Sequence, residues 1–164
     1  MKKKIKHYLK EIVLFLIVMT LLANAISFYR SMDLNKEPLS ALDLKLIDGS
    51  EYSLERSKPL LVHLWAIWCP TCKVEAANIQ RISQHYEVLT IAVKSGSNQE
   101  LQNYMQENGY TFRVLNDSDG YYAKTFGISA YPSTLIYDKE QKVRFSEVGY
   151  TSTLGLWLRM WWVK

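Results

Sequence analysis

The sequence predicts an α/β domain, a central mixed β-sheet flanked by helices, preceded by one N-terminal transmembrane helix. Three observations carry this. Two strongly apolar runs, residues 60–66 and 88–93, flank a stretch of helical periodicity, which is the pattern of a strand–helix–strand unit with parallel strands and a right-handed crossover. The only two cysteines among 164 residues, Cys69 and Cys72, fall where the first of those strands gives way to the helix. An uncharged apolar segment, residues 12–29, directly follows a lysine-rich start.

The amino terminus explains the charge. Lys2, Lys3, Lys4, Lys6 and Lys10 against Glu11 account for the whole formal charge of +4, and the rest of the chain balances at fifteen basic and fifteen acidic side chains. A basicity confined to the first eleven residues supplies no phosphate-tracking surface, so no nucleic-acid partner is expected. Residues 12–29 would form a helix about 27 Å long, enough for a hydrocarbon core. Lysines before it and only Arg30 close behind hold the N-terminus in the cytoplasm and export the rest. Ala23-Asn24-Ala25 also reads as a small-x-small cleavage site, so both an uncleaved anchor and a cleaved signal fit, with Tyr29 as an interfacial aromatic favouring the anchor. The expected organisation is a basic tail and anchor over residues 1–30, a polar linker over 31–40 and a folded domain over 41–164.

Within that domain, residues 42–47 and 52–54 around Asp48-Gly49-Ser50 signal a hairpin. Residues 60–66 are apolar enough for a strand buried on both faces. Pro70 suits the first position of the next helix, whose inward face carries Cys72, Ala76, Ile79, Ile82 and Tyr86. Residues 88–93 form the second buried strand. Residues 98–108 read as a helix with Leu101, Tyr104 and Met105 inward, stopped by Gly109. A short strand over 112–115, a turn over 116–120 and a brief helix over 121–126 follow. Residues 128–137 combine Pro132 with a strand, and residues 142–150 close a hairpin on it. The last segment, residues 154–163, is expected to pack on the sheet through Leu154, Leu158 and Trp161, with Trp157 and Trp162, elsewhere around the helix, also taken into the core, a partner patch or a place near the membrane being the alternatives.

A lone Cys-x-x-Cys is half a zinc site, a short structural disulfide, or a dithiol that cycles. Zinc requires two further ligands, and His7, His63 and His85 lack the spacing to supply them. A bridge across two residues constrains little of the unfolded chain. The cycling dithiol uses the whole segment: Cys69 sits at the N-terminal end of the helix, where the helix dipole and unpaired N–H groups stabilise an attacking thiolate. Cys72, one turn further in, is within reach to resolve a mixed disulfide.

Trp68-Cys69-Pro70-Thr71-Cys72-Lys73, followed by Glu75, resembles the active site of membrane-anchored TlpA/ResA-type members of the thioredoxin family. Residues 73–80 and 92–96 resemble the suppressor-for-copper-sensitivity protein D group. The resemblance covers residues 40–164 and implies a thioredoxin fold with an N-terminal β-hairpin extension, facing the periplasm from a single-pass bacterial inner-membrane anchor. It implies catalysis by Cys69 and Cys72 as a redox-active disulfide, supported by Trp68, Pro70, Thr71, Glu75 and Pro132. Trp68, Tyr131 and Pro132 would receive substrate, with Tyr131-Pro132 as the cis-proline loop facing the cysteines. Where soluble thioredoxins carry a buried aspartate this chain has His63, read as a satisfied core histidine or a base. Glu75 is either a tuner of the second thiol or a solvated first-turn residue.

These features imply an enzyme that exchanges thiols and disulfides with proteins, with no cofactor and no metal. Reduction of substrate disulfides is the expected direction, re-reduced by a transmembrane donor of DsbD type, with a role in copper or oxidative stress. Oxidation or isomerisation, or a non-catalytic copper or zinc chaperone, are the alternatives. A thiol peroxidase of this fold would show Thr-x-x-Cys, and Ala66 occupies that position.

Overall fold

The computed structural model describes residues 2–31, 44–54 and 57–164. The order is α1 (Lys2–Ser31), β1 (Leu44–Lys45), β2 (Glu51–Tyr52), β3 (Leu60–Trp65), α2 (Pro70–Ser83), β4 (Glu87–Val93), α3 (Asn98–Asn108), β5 (Arg113–Asp117), α4 (Tyr121–Thr125), β6 (Ser133–Tyr137), β7 (Val143–Val148) and α5 (Thr153–Trp162). Five strands make one sheet in the order β5-β4-β3-β6-β7. β3 and β4 pair in parallel, as do β4 and β5, while β6 runs antiparallel to both β3 and β7. This is the mixed sheet of the thioredoxin fold.

Strand alternation sorts the core into two layers. Val62 and Leu64 of β3 meet Leu89, Ile91, Leu135 and Tyr137 on one face, closed by Ala123 and Phe126 around α4. Leu61 and Trp65 meet Val88, Ala92, Val114 and Ile136 on the other, closed by Ile79 and Ile82 of α2, Leu101 and Met105 of α3 and Leu156 and Met160 of α5. All six β3 side chains are buried, so the central strand has no solvent face. The predicted hairpin is present as β1 and β2; residues 42–43 of its first arm lie outside the described residues, as does the expected linker beyond Ser31. Leu46 bridges antiparallel to Leu115, so the hairpin lies along the outer edge of β5.

α3 ends as its sequence signals. Ser97 and Glu100 form a capping box, and Gly109 takes the left-handed conformation at φ 66° that glycine adopts without steric penalty.

Two expectations need correction. The predicted turn gives up Asn116 and Asp117 to β5. Asp117 is buried at the strand end, where its two carboxylate oxygens accept the N–H groups of Tyr122 and Ala123 at 3.1 and 2.9 Å and so cap α4 from outside that helix. The cap position itself holds Gly120, which has no side chain to do so. Asp117→Ala should therefore lower stability by about 1–2 kcal/mol, read as a lower urea midpoint at unchanged slope.

The proline opens its strand as expected, β6 beginning at Ser133 directly after it. α5 is rotated relative to expectation: Leu156, Met160 and Val163 are buried, whereas Leu154, Leu158 and Trp161 are exposed, as are Trp157 and Trp162. The helix is apolar round most of its circumference, so two stripes satisfy the same periodicity, and the stripe without tryptophan took the contact with α2 and the sheet.

α1 contains one stretch long and apolar enough to cross a membrane, His7–Ser27, of 21 residues. Its end meets the domain: Ser27 Oγ donates to Glu147 at 3.2 Å and accepts the Val148 N–H at 3.0 Å.

Candidate active site

β3 delivers the chain to the top of the sheet, and the turn after it is pinned. The Cys69 N–H bonds the Ala66 carbonyl at 3.2 Å, and the Ile67 N–H bonds Ser95 Oγ at 3.1 Å. Cys69 takes extended backbone angles as the N-cap of α2, Pro70 fills the first turn, and the Lys73 N–H closes the first helical bond to the Cys69 carbonyl at 3.2 Å. A sulfur thus occupies the position usually held by serine or aspartate, and it accepts the Cys72 N–H at 3.3 Å. Partial positive charge from the helix start falls on that atom.

Cys69 and Cys72 form a disulfide with Cα atoms 5.3 Å apart. Both are buried, Cys72 the more deeply. The Tyr131–Pro132 peptide is cis, as expected, and the Tyr131 carbonyl oxygen lies 3.7 Å from Cys69 Sγ. Pro132 is buried, and its carbonyl accepts the Gly149 N–H at 2.8 Å, so the loop is held from behind by the end of β7.

Trp68 is 56% exposed beside the disulfide. Its indole N–H donates to the Lys94 carbonyl at 3.0 Å, and its ring meets Tyr131 edge-on at 5.7 Å. The two residues form one aromatic wall next to Cys69. Tyr131 keeps its phenol protonated, because burial and then the Asp117 charge both raise its pKa. Thr71 is exposed on the first turn of α2.

Two buried ionisable groups lie on the strand and the helix that flank the disulfide. His63 is buried, with Nδ1 2.9 Å from Thr134 Oγ1; burial lowers its pKa to about 3 and leaves it neutral, a satisfied core histidine. Glu75 is fully buried, three residues beyond Cys72 on the inward face of α2, and not solvated. Residues so spaced have Cβ atoms roughly 5–6 Å apart. Burial foremost, opposed by the Thr151 N–H and reinforced by the Glu147 charge, raises the Glu75 pKa to about 8. Oε1 accepts that Thr151 N–H at 3.2 Å, whereas Oε2 has no hydrogen-bond partner among the described residues. Glu75 therefore carries a proton near neutral pH, three residues along the same helix from Cys72.

Sequence reasoning assigned no role to several supports. Asn78 donates to the Thr151 carbonyl at 3.1 Å and accepts from Thr153 at 2.7 Å, so Glu75 and Asn78 together fasten α2 to the segment leading into α5. Lys94, at φ 47°, is a non-glycine residue in the left-handed region, which costs roughly 1–2 kcal/mol; it carries the carbonyl that the Trp68 indole uses. The one available signal was position: residues 94–96 follow the carboxyl end of a parallel strand, where ligands bind in open α/β sheets.

The fold and site can be set beside known proteins. A profile of the AhpC/TSA family matches residues 36–146. A thioredoxin-like protein of Haemophilus influenzae is 27% identical over 165 residues, covering 98% of each chain. The thiol:disulfide interchange protein DsbE of Pseudomonas aeruginosa is 28% identical over 119 residues, 69% of this chain and 66% of its own length. The structure of MTB DsbF, solved in mixed oxidised and reduced forms, superposes with a TM-score of 0.64 at 28% identity, over 75% of this chain and 95% of its own.

Proposed function

Because this chain belongs to the AhpC/TSA family and is a thioredoxin-like disulfide oxidoreductase, we propose that it reduces protein disulfides outside the cytoplasm while tethered by α1. The reading is carried by the Cys69–Cys72 disulfide at the start of α2 with the backbone of the cis-proline loop against its outer sulfur. In the reduced protein the Cys69 thiolate attacks one sulfur of a substrate disulfide and expels the other as a thiolate. Cys72 then attacks Cys69 Sγ, frees the second substrate thiol and closes the internal disulfide. Two electrons pass to the substrate, and a transmembrane dithiol donor of DsbD type returns them. Trp68 and Tyr131 wall the approach, and the Tyr131 backbone pairs with an extended substrate segment. Glu75 takes up or supplies the Cys72 proton.

Tethering is supported by the length of the apolar stretch, by the lysines ahead of it, and by an alignment to the Haemophilus protein that extends over α1. The division into residues 1–30, 31–40 and 41–164 follows from it. Residues 73–80 and 92–96, through their likeness to the copper-sensitivity group, support a role under copper or oxidative stress.

Direction is tested by equilibrating the protein with glutathione. The potential is expected near the thioredoxin value of about −270 mV; one near the DsbA value of about −120 mV would make the protein an oxidase instead.

A further inference from the structure

α5 presents two apolar faces, and only one is used by the fold. Leu156, Met160 and Val163 pack inward, while Leu154, Trp157, Leu158, Trp161 and Trp162 form a continuous outer arc, with Leu154 67% and Trp162 76% exposed. On a helical wheel these five residues cover about 140° without a polar side chain among them. The single charged residue of the helix, Arg159, lies at the border of the arc and is engaged, with Nη2 2.7 Å and Nε 2.8 Å from Glu147 Oε1.

The other oxygen of that carboxylate accepts from Ser27 of α1. One glutamate therefore joins the end of the apolar N-terminal helix to α5. The uncharged part of α1, residues 12–29, measures about 27 Å as a helix, close to a hydrocarbon core of about 30 Å, with Lys10 and Glu11 left at its inner border. Ser27 then lies near the outer boundary of that core, and Tyr29, 75% exposed, stands at its end, at the level where aromatic side chains gather. α5 is held to that boundary through Glu147. Tryptophan is the side chain best suited to this depth, with an apolar body and one N–H for the headgroups. A helix of 10 residues is too short to span but long enough to lie flat.

We propose that α5 lies in the headgroup–acyl boundary of the bilayer that α1 enters, with Leu154, Trp157, Leu158, Trp161 and Trp162 as its lipid-facing side. This rests on the tethered reading given above. The domain then touches the membrane at two places, and the Asn78 and Glu75 bonds to the segment before α5 fix the active-site helix relative to the surface.

Tryptophan emission tests it directly, because α1 contains no tryptophan and three of the five in the chain lie on α5. The full chain is reconstituted into phosphatidylcholine vesicles with and without bromine on the upper acyl carbons. Emission should fall by roughly half in brominated vesicles, and the bromine-sensitive part should vanish in the triple variant Trp157→Phe/Trp161→Phe/Trp162→Phe. Flotation of the same vesicles is scored separately. Failure to float overturns the tether itself. Flotation without bromine quenching overturns the placement of α5 alone, and tryptophans shielded from aqueous iodide as well would put a second copy or a protein partner on that face. Quenching that persists in the triple variant also overturns it.

Discussion

Cys72→Ala should turn a passing covalent intermediate into a lasting one. The alanine keeps the backbone N–H that contacts Cys69 Sγ, and Pro70 still sets the first turn, so the first attack proceeds. What disappears is the resolving sulfur, held in the same turn with its Cα 5.3 Å from that of Cys69. An intramolecular thiol has a large effective concentration, so substrate release should slow by at least ~10³-fold. In intact cells the stalled mixed disulfides should appear as high-mass species on non-reducing gels and collapse on reduction, and they should carry the identity of the substrates. Cys69→Ala should yield none. Adducts that instead accumulate on Cys72 in that second variant would reverse the assigned roles.

Glu75→Gln should change the shape of stability against pH. In the oxidised wild type, Glu75 holds its proton to about pH 8 when folded and loses it near 4.5 when unfolded. The folded state binds the extra proton across that window, so stability falls as pH rises through it. His63 acts in the opposite sense: neutral when folded down to about pH 3, it charges near 6.5 when unfolded, so stability falls as pH drops from 6.5 towards 3. The two slopes oppose each other between 4.5 and 6.5, leaving a plateau that declines on either side. Glutamine can still accept the Thr151 N–H but does not titrate, so the decline above 6.5 should vanish, with a gain relative to wild type approaching roughly 3–5 kcal/mol by pH 8. Any penalty for burying the amide is independent of pH and leaves the slope readable. Urea unfolding from pH 4.5 to 8.5 measures it, and parallel curves for the two proteins would remove Glu75 as a buried proton carrier. In the reduced enzyme the same substitution should slow resolution of the mixed disulfide while leaving alkylation of Cys69 unaltered.

The parts of the molecule legible in the sequence were those set by local chemistry. The central strand announces itself by an apolar run, α2 by Pro70 after a cysteine, and α3 by Ser97, Glu100 and Gly109. The redox pair needed only its spacing and its place at a strand–helix junction. What could not be read depends on partners distant in sequence. Whether Glu75 faced water or the interior was decided by Thr151, 76 residues away, and Asn78 gave no sign of binding the same segment. Asp117 looked like a turn residue because aspartate is one; its strand position follows from pairing with Val93 across the sheet. α5 misled because Leu154, Leu158 and Trp161 repeat at helical spacing as well as the residues that are buried.

Both margins of the five-stranded sheet are occupied. The hairpin borders β5 through the Leu46–Leu115 bridge and an Ile47 N–H to Val114 bond of 2.9 Å, and α1 meets β7 where Ser27 caps the Val148 amide. Bare strand margins invite foreign chains to zip on, the route to domain exchange and fibrils. A disulfide oxidoreductase acting on protein substrates, as proposed above, meets that hazard at every turnover. With its flanks guarded, a visiting chain is left the approach beside Trp68 and the cis-proline loop, so capture and chemistry coincide.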